Sequence, residues 1–166
     1  MRVIMLGLDN AGKTTILQFL KDEDTLNTKP TYGFNIEHIE RNSMSMCIWD
    51  FGGNEQVRDN WTHHVPKADA LIFVVDSVDS DRMDLVRDKL HEVFSHEEVH
   101  DLPLLIFANK QDQAEALNYY KLKEMLDLDE ILPSCKIWKM QPCCGLEGSG
   151  VTHGFNWLTK VLKLTL

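Results

Sequence analysis

No stretch of this 166-residue chain is apolar over the ~18 residues that a bilayer-spanning helix needs. Met1-Arg2-Val3-Ile4-Met5-Leu6-Gly7 is too short an apolar run for a secretory leader, and it leads straight into a glycine-rich motif. Positive charge is also scarce. Seventeen Lys and Arg against 26 Asp and Glu give a formal net charge of −9, which argues against a general affinity for nucleic-acid phosphates. Cys47, Cys135, Cys143 and Cys144 include no Cys-x-x-Cys pair, so neither a disulfide framework nor a zinc site is expected and a reducing compartment is the default. His96/His100 and His63/His64 lack the acidic or thiol partners of a metal centre. Asn60-Trp61-Thr62 is a chance sequon in the absence of a secretion signal. Repeats, linkers and low-complexity segments are absent too, so residues 1–166 are expected to form one domain.

What is present is an alternation of apolar runs and amphipathic stretches. Strands are predicted over 2–6, 34–40, 44–50, 70–75, 103–108 and 136–140, with a turn at Arg41-Asn42-Ser43. Helices are predicted over 12–21, along the Met83/Val86/Leu90/Val93 stripe, near 114–126, and along Val151/Phe155/Leu158/Leu162. Such alternation predicts an α/β fold with a mostly parallel sheet, helices on both faces and one antiparallel edge strand. Ligands of such sheets sit beyond the carboxyl ends of the strands.

The first strand runs into Gly7-Leu8-Asp9-Asn10-Ala11-Gly12-Lys13-Thr14, which satisfies G-x-x-x-x-G-K-[ST] at every fixed position, between a strand and a helix. Glycines let the backbone close around a phosphate chain, and inward N–H groups at a helix N-terminus supply positive potential. Leu8 to Thr15 are therefore phosphate-binding candidates. Lys13 is expected at the β- and γ-phosphates, and the Thr14 hydroxyl on Mg²⁺. A phosphate loop alone admits ATP-using enzymes.

Asn109-Lys110-Gln111-Asp112, behind the apolar run 104–108, resembles the N-K-x-D motif of Ras-superfamily GTPases. The resemblance implies that Asp112 accepts from guanine N1–H and the 2-amino group. It further implies that Asn109 meets the base edge and braces the loop, and that the Lys110 stem covers the ring. Adenine would leave that carboxylate unpaired and facing a lone pair. Cys144-Gly145-Leu146 stands where the family's last base loop offers a backbone N–H to guanine O6, and Gly145 can do so although the local sequence differs.

Asp50-Phe51-Gly52-Gly53 matches D-x-x-G. By resemblance, Asp50 holds Mg²⁺ through a water and the Gly53 N–H senses the γ-phosphate. Pro30-Thr31-Tyr32-Gly33-Phe34-Asn35, Trp49-Asp50, Arg58-x-x-Trp61 and Asn156-Trp157-Leu158 narrow the likeness to the ADP-ribosylation factor (Arf) and Arf-like branch. That resemblance covers essentially the whole chain. It implies a Ras-like P-loop fold with six strands, and a GTP/GDP switch in which Thr31 closes on Mg²⁺. It also implies that the two strands between the switches slide in register between nucleotide states.

Departures from the pattern sharpen the expectations. Asn54 replaces the glutamine that orients the attacking water, so of the catalytic candidates Lys13, Gly53 and Asn54 the last predicts very slow hydrolysis. A GTP-dependent binding module with little or no hydrolysis is the alternative reading. Asp9 places a carboxylate near the phosphates. Exchange factors, GTPase-activating proteins and effectors are expected at Phe34, Trp49, Asn60, Trp61, His64 and the switch loops, with His64 in a position usually held by tyrosine and Asn60 in one usually held by leucine. Arg2 stands where a myristoylated member has glycine, so membrane attachment would need an N-terminal helix not in this sequence. A cytoplasmic monomer is expected, peripheral on internal membranes if such a helix exists.

Overall fold

The computed structural model describes residues 1–22, 29 and 31–165; Pro30 of the PTYGFN block lies outside the described residues. Six strands form one sheet: β1 (Arg2–Leu6), β2 (Phe34–Arg41), β3 (Met44–Phe51), β4 (Ala70–Asp76), β5 (Leu104–Asn109) and β6 (Trp138–Pro142). Their order is β2-β3-β1-β4-β5-β6. Among the described residues only the β2–β3 pair is antiparallel, with Phe34 opposite Phe51 and Arg41 opposite Met44. Its turn, Asn42-Ser43, takes positive φ at both residues (53° and 58°), the geometry that matches strand twist in a two-residue hairpin.

The period of two along the central strands divides the core into two layers. Ile4, Leu6, Phe73, Val75, Ile106 and Ala108 face one side, covered by α3 (Met83–Phe94) and α4 (Tyr119–Met125). Val3, Met5, Ile72, Val74, Leu105 and Phe107 face the other, covered by α1 (Lys13–Leu20) and α6 (Val151–Leu164). The predicted stripes Met83/Val86/Leu90/Val93 and Val151/Phe155/Leu158/Leu162 are all buried. Two short helices, α2 (Glu55–Arg58) and α5 (Leu128–Ile131), complete the α-helices among the described residues.

Two boundaries differ from expectation. The helix expected from 114 starts at Tyr119, because Asn118 caps it by accepting from the Lys121 N–H at 2.9 Å. The residues ahead of it are held as a loop by the Leu117 N–H on the Ser77 carbonyl (2.8 Å) and by Gln111, which donates to Ser77 Oγ and the Leu117 carbonyl. β6 lies two residues later than expected, since the Lys136 N–H is engaged by the His100 carbonyl instead of a strand neighbour.

Candidate functional site

The loop joining β1 to α1 lies at the carboxyl edge of the sheet. Gly12 has φ 99°, and a Cβ there would lie 2.2 Å from Asn109 Nδ2, so glycine is required on both counts. Lys13 is buried, and its Nζ donates to the Gly7 and Leu8 carbonyls at 2.8 and 2.9 Å. Burial lowers its pKa to about 8, although the Asp50 and Asp9 carboxylates oppose that shift. Leu8 and Ala11 are buried in the core, and their carbonyls are engaged within the protein, Leu8 by Lys13 Nζ and the Ala11 N–H and Ala11 by Asn109 Nδ2. A cavity of about 330 Å³ opens over the loop, and Asp9, Asn10, Thr15, Tyr32 and Gly53 are among the residues around it.

Three oxygen-bearing side chains converge at the edge of this cavity. Thr14 Oγ1 lies 3.0 Å from both Thr31 Oγ1 and Asp50 Oδ2, and Thr31 Oγ1 lies 3.4 Å from Asp50 Oδ2. Asp50 Oδ1 is buried without a hydrogen-bond partner. Burial raises the Asp50 pKa above the ordinary carboxylate value, with Lys13 and the two threonine hydroxyls opposing it. Two hydroxyls and a carboxylate with a spare oxygen form a donor set suited to a hard divalent cation. The residues therefore fit Mg²⁺.

Gly53 rests directly on the phosphate loop: a Cβ there would lie 2.1 Å from the Asp9 amide nitrogen and 2.2 Å from the Leu8 carbonyl carbon. Asn54 follows it and caps α2, its Oδ1 accepting from the Val57 N–H at 3.1 Å. The side chain at the position expected to orient water is thus turned onto its own helix. Asp9 borders the cavity, as expected. Its carboxylate is paired with Arg82 at 2.8 Å and lies 3.7 Å from Arg58, so it is not left to repel phosphate.

At the base-binding end, Asn109 joins three loops. Its Nδ2 donates to the Ala11 carbonyl at 2.8 Å, and its Oδ1 accepts from the Gly145 N–H at 2.9 Å and from Cys143 Sγ at 3.5 Å. The bracing role expected of Asn109 is present, whereas the Gly145 N–H expected at guanine O6 is already engaged within the protein. The Cys144 thiol has its pKa raised chiefly by burial, with the Asp112 carboxylate adding to the rise. Lys110 takes φ 66° and pairs with Asp76 at 2.6 Å.

The motifs did not reveal Asp76, Ser77, Arg58 or Arg82 as parts of the site. Asp76 and Ser77 could have been found from their place at the end of β4, beside the Asn109 strand.

On the β2–β3 face, Phe34 stacks on Trp49 (5.3 Å, 8°), Phe51 packs between Phe34 and His64, and the Arg2 guanidinium lies 3.9 Å over Trp49. Phe34, Tyr32 and Ile36 are exposed, as is Asn60. Trp61 is not part of this surface. It is 1% exposed, packs edge-on to Phe73 and donates to the Gly52 carbonyl at 3.3 Å, so it serves the core beneath Gly52.

A mostly parallel sheet with a phosphate loop, a two-threonine and aspartate centre and an N-K-x-D loop at one edge defines a Ras-like P-loop nucleotide-binding protein. The sequence model of the ADP-ribosylation factor family matches residues 1–162. Similar proteins include ADP-ribosylation factor J of Dictyostelium discoideum, 41% identical over 98% of this chain and 85% of that protein. ADP-ribosylation factor-like protein 3 of Chlamydomonas reinhardtii is also 41% identical, over 98% of this chain and 90% of its own. The solved Arl6 BBS3 small GTPase of Trypanosoma brucei, with a bound GppNp, superposes with a TM-score of 0.89 at 34% identity, covering 98% of this chain and 97% of that one. The chain belongs to the ADP-ribosylation factor family. It is a small GTPase that binds GTP and GDP with Mg²⁺. Among the described residues no helix is long and apolar enough to cross a membrane.

Proposed function

We propose that residues 1–166 act as one Arf-like switch domain in membrane traffic or related signalling, with slow hydrolysis and effector recruitment in the GTP form. The observation that carries this reading is the convergence of Thr14, Thr31 and Asp50, from three separate segments, within 3.4 Å of one another beside Lys13.

In this reading Lys13 exchanges the Gly7 and Leu8 carbonyls for the β- and γ-phosphates. Thr14, Thr31 and Asp50 would hold Mg²⁺. The ion supplies charge neutralisation of the phosphates when bound. The Gly53 N–H meets the γ-phosphate, and loss of that group frees the Thr31 and Gly53 segments. Asn109, Lys110, Asp112, Cys144 and Gly145 form the guanine end. Asp112 accepts from the base. Partner proteins read Phe34, Trp49, Asn60, His64 and the switch loops.

Asn54 sets the rate. It is one methylene shorter than glutamine, and its oxygen is committed to the Val57 N–H, so it must leave the cap before it can hold water. A displacement near 1 Å costs on the order of 10²-fold. Single-turnover hydrolysis by GTP-loaded protein is therefore expected to be very slow, and Asn54→Gln is expected to accelerate it. Equal rates for the two proteins would defeat this account of Asn54. The same capping contact favours the second reading, a GTP-dependent binding module, and no turnover even with Asn54→Gln would select it. Denaturing the purified protein and identifying the released nucleotide tests guanine choice, and ADP in place of GDP or GTP would overturn it.

A further inference from the structure

Asp9 borders the phosphate cavity, where a bare carboxylate opposes phosphate binding. Two arginines from different parts of the chain meet it. Arg82, immediately ahead of α3, donates from Nη1 to Asp9 Oδ1 and from Nη2 to the Asp9 carbonyl, both at 2.8 Å, while its Nε holds Asp79 at 2.6 Å. Arg58 ends α2, in the segment that carries Gly53. Its Nη1 donates to the Gly53 carbonyl at 2.9 Å and lies 3.7 Å from Asp9 Oδ1. The Arg58 side chain is 11% exposed. The Leu8–Asp9 peptide is also the surface against which Gly53 is packed.

We propose that Arg58 is the positioning residue that docks the Gly53 segment onto the phosphate loop, with the Asp9 carboxylate as its anchor. The proposal rests on the switch reading above. Arginine suits the task because its Nη1 donates to the Gly53 carbonyl at 2.9 Å while the delocalised guanidinium charge stays within ion-pair reach of Asp9 Oδ1, at 3.7 Å. The segment needs such a tie because α2 is a single turn of 4 residues, too short to hold itself in place. The Asn54 cap orders that turn but binds nothing on the phosphate loop. Arg82 keeps Asp9 neutralised wherever the Gly53 segment lies. Arg58 reaches Asp9 only when Gly53 is docked, so its contribution belongs to the triphosphate form.

The test is the release of fluorescent GppNHp and fluorescent GDP from the full chain with Mg²⁺, for wild type, Arg58→Gln, Arg58→Lys, Asp9→Asn and the Asp9→Asn/Arg58→Gln double variant. A partly buried, charge-assisted contact predicts that Arg58→Gln speeds GppNHp release about tenfold while GDP release stays within about twofold. Arg58→Lys restores only part of the difference, and Arg58→Gln adds little once Asp9 is asparagine. If Arg58→Gln lowers the thermal midpoint of the GDP form, Arg58→Lys carries the comparison. Equal acceleration of both nucleotides, no acceleration of either, or an undiminished Arg58→Gln effect without the Asp9 carboxylate overturns the proposal and leaves the switch reading standing. Wild-type protein that holds ADP as well as GDP overturns both.

Discussion

His64 lies against Phe51 with ring centroids 4.9 Å apart, at the end of the aromatic row that begins at Trp49. Burial is the main reason its pKa falls below the ordinary histidine value, with Arg2, His63 and Lys67 adding repulsion of the charged form. A folded-state pKa below the unfolded one means the neutral ring's contribution is fully present above about pH 6.5 and fades as pH falls through that value toward the folded pKa. His64→Phe should therefore lose less of its thermal midpoint between pH 7.5 and 5.5 than wild type. Parallel melting curves would refute this assignment.

The residue scale is also where sequence reading and structure part most clearly. Lys13, Thr14, Asp50 and Asn109 were legible because their motifs fix residue type, spacing and flanking elements together. Trp61 was read as surface because a motif match says nothing about orientation. Arg82 was missed because its bond to Asp9 spans 73 residues and leaves no local pattern.

Among the elements, strands and striped helices were legible from periodicity, since buried runs such as Leu104–Asn109 have no polar alternative. Ends set by hydrogen bonds across the fold were not. The apolar spacing after Ala114 suits a helix, yet Ser77 and Gln111 claim the backbone there, and α4 waits for Asn118. Removing that cap should weaken the helix measurably: Asn118→Ala is expected to cost about 1 kcal/mol, seen as a lower urea midpoint at unchanged slope. No shift would mean that packing of Leu122 alone sets the start of α4.

For the whole molecule, a site that gathers segments from residue 7 to residue 145 couples ligand binding to global stability. A ligand held at 1,000 times its Kd contributes about 4 kcal/mol by mass action. Stripping nucleotide and Mg²⁺ with EDTA and phosphatase should lower the thermal midpoint by several degrees, and GDP with Mg²⁺ should restore it where ADP with Mg²⁺ does not. Equal recovery by both would contradict the guanine assignment.

Asn109 gives this coupling a further consequence. One amide group bolts the phosphate loop at Ala11 to the last loop at Gly145, so the gap between the base-reading and phosphate-gripping ends is set within the protein itself. The site is then a gauge of length as well as of hydrogen-bond pattern. A guanine ligand whose base and first phosphate are held further apart than ribose holds them cannot reach both ends at once, however well each half fits alone.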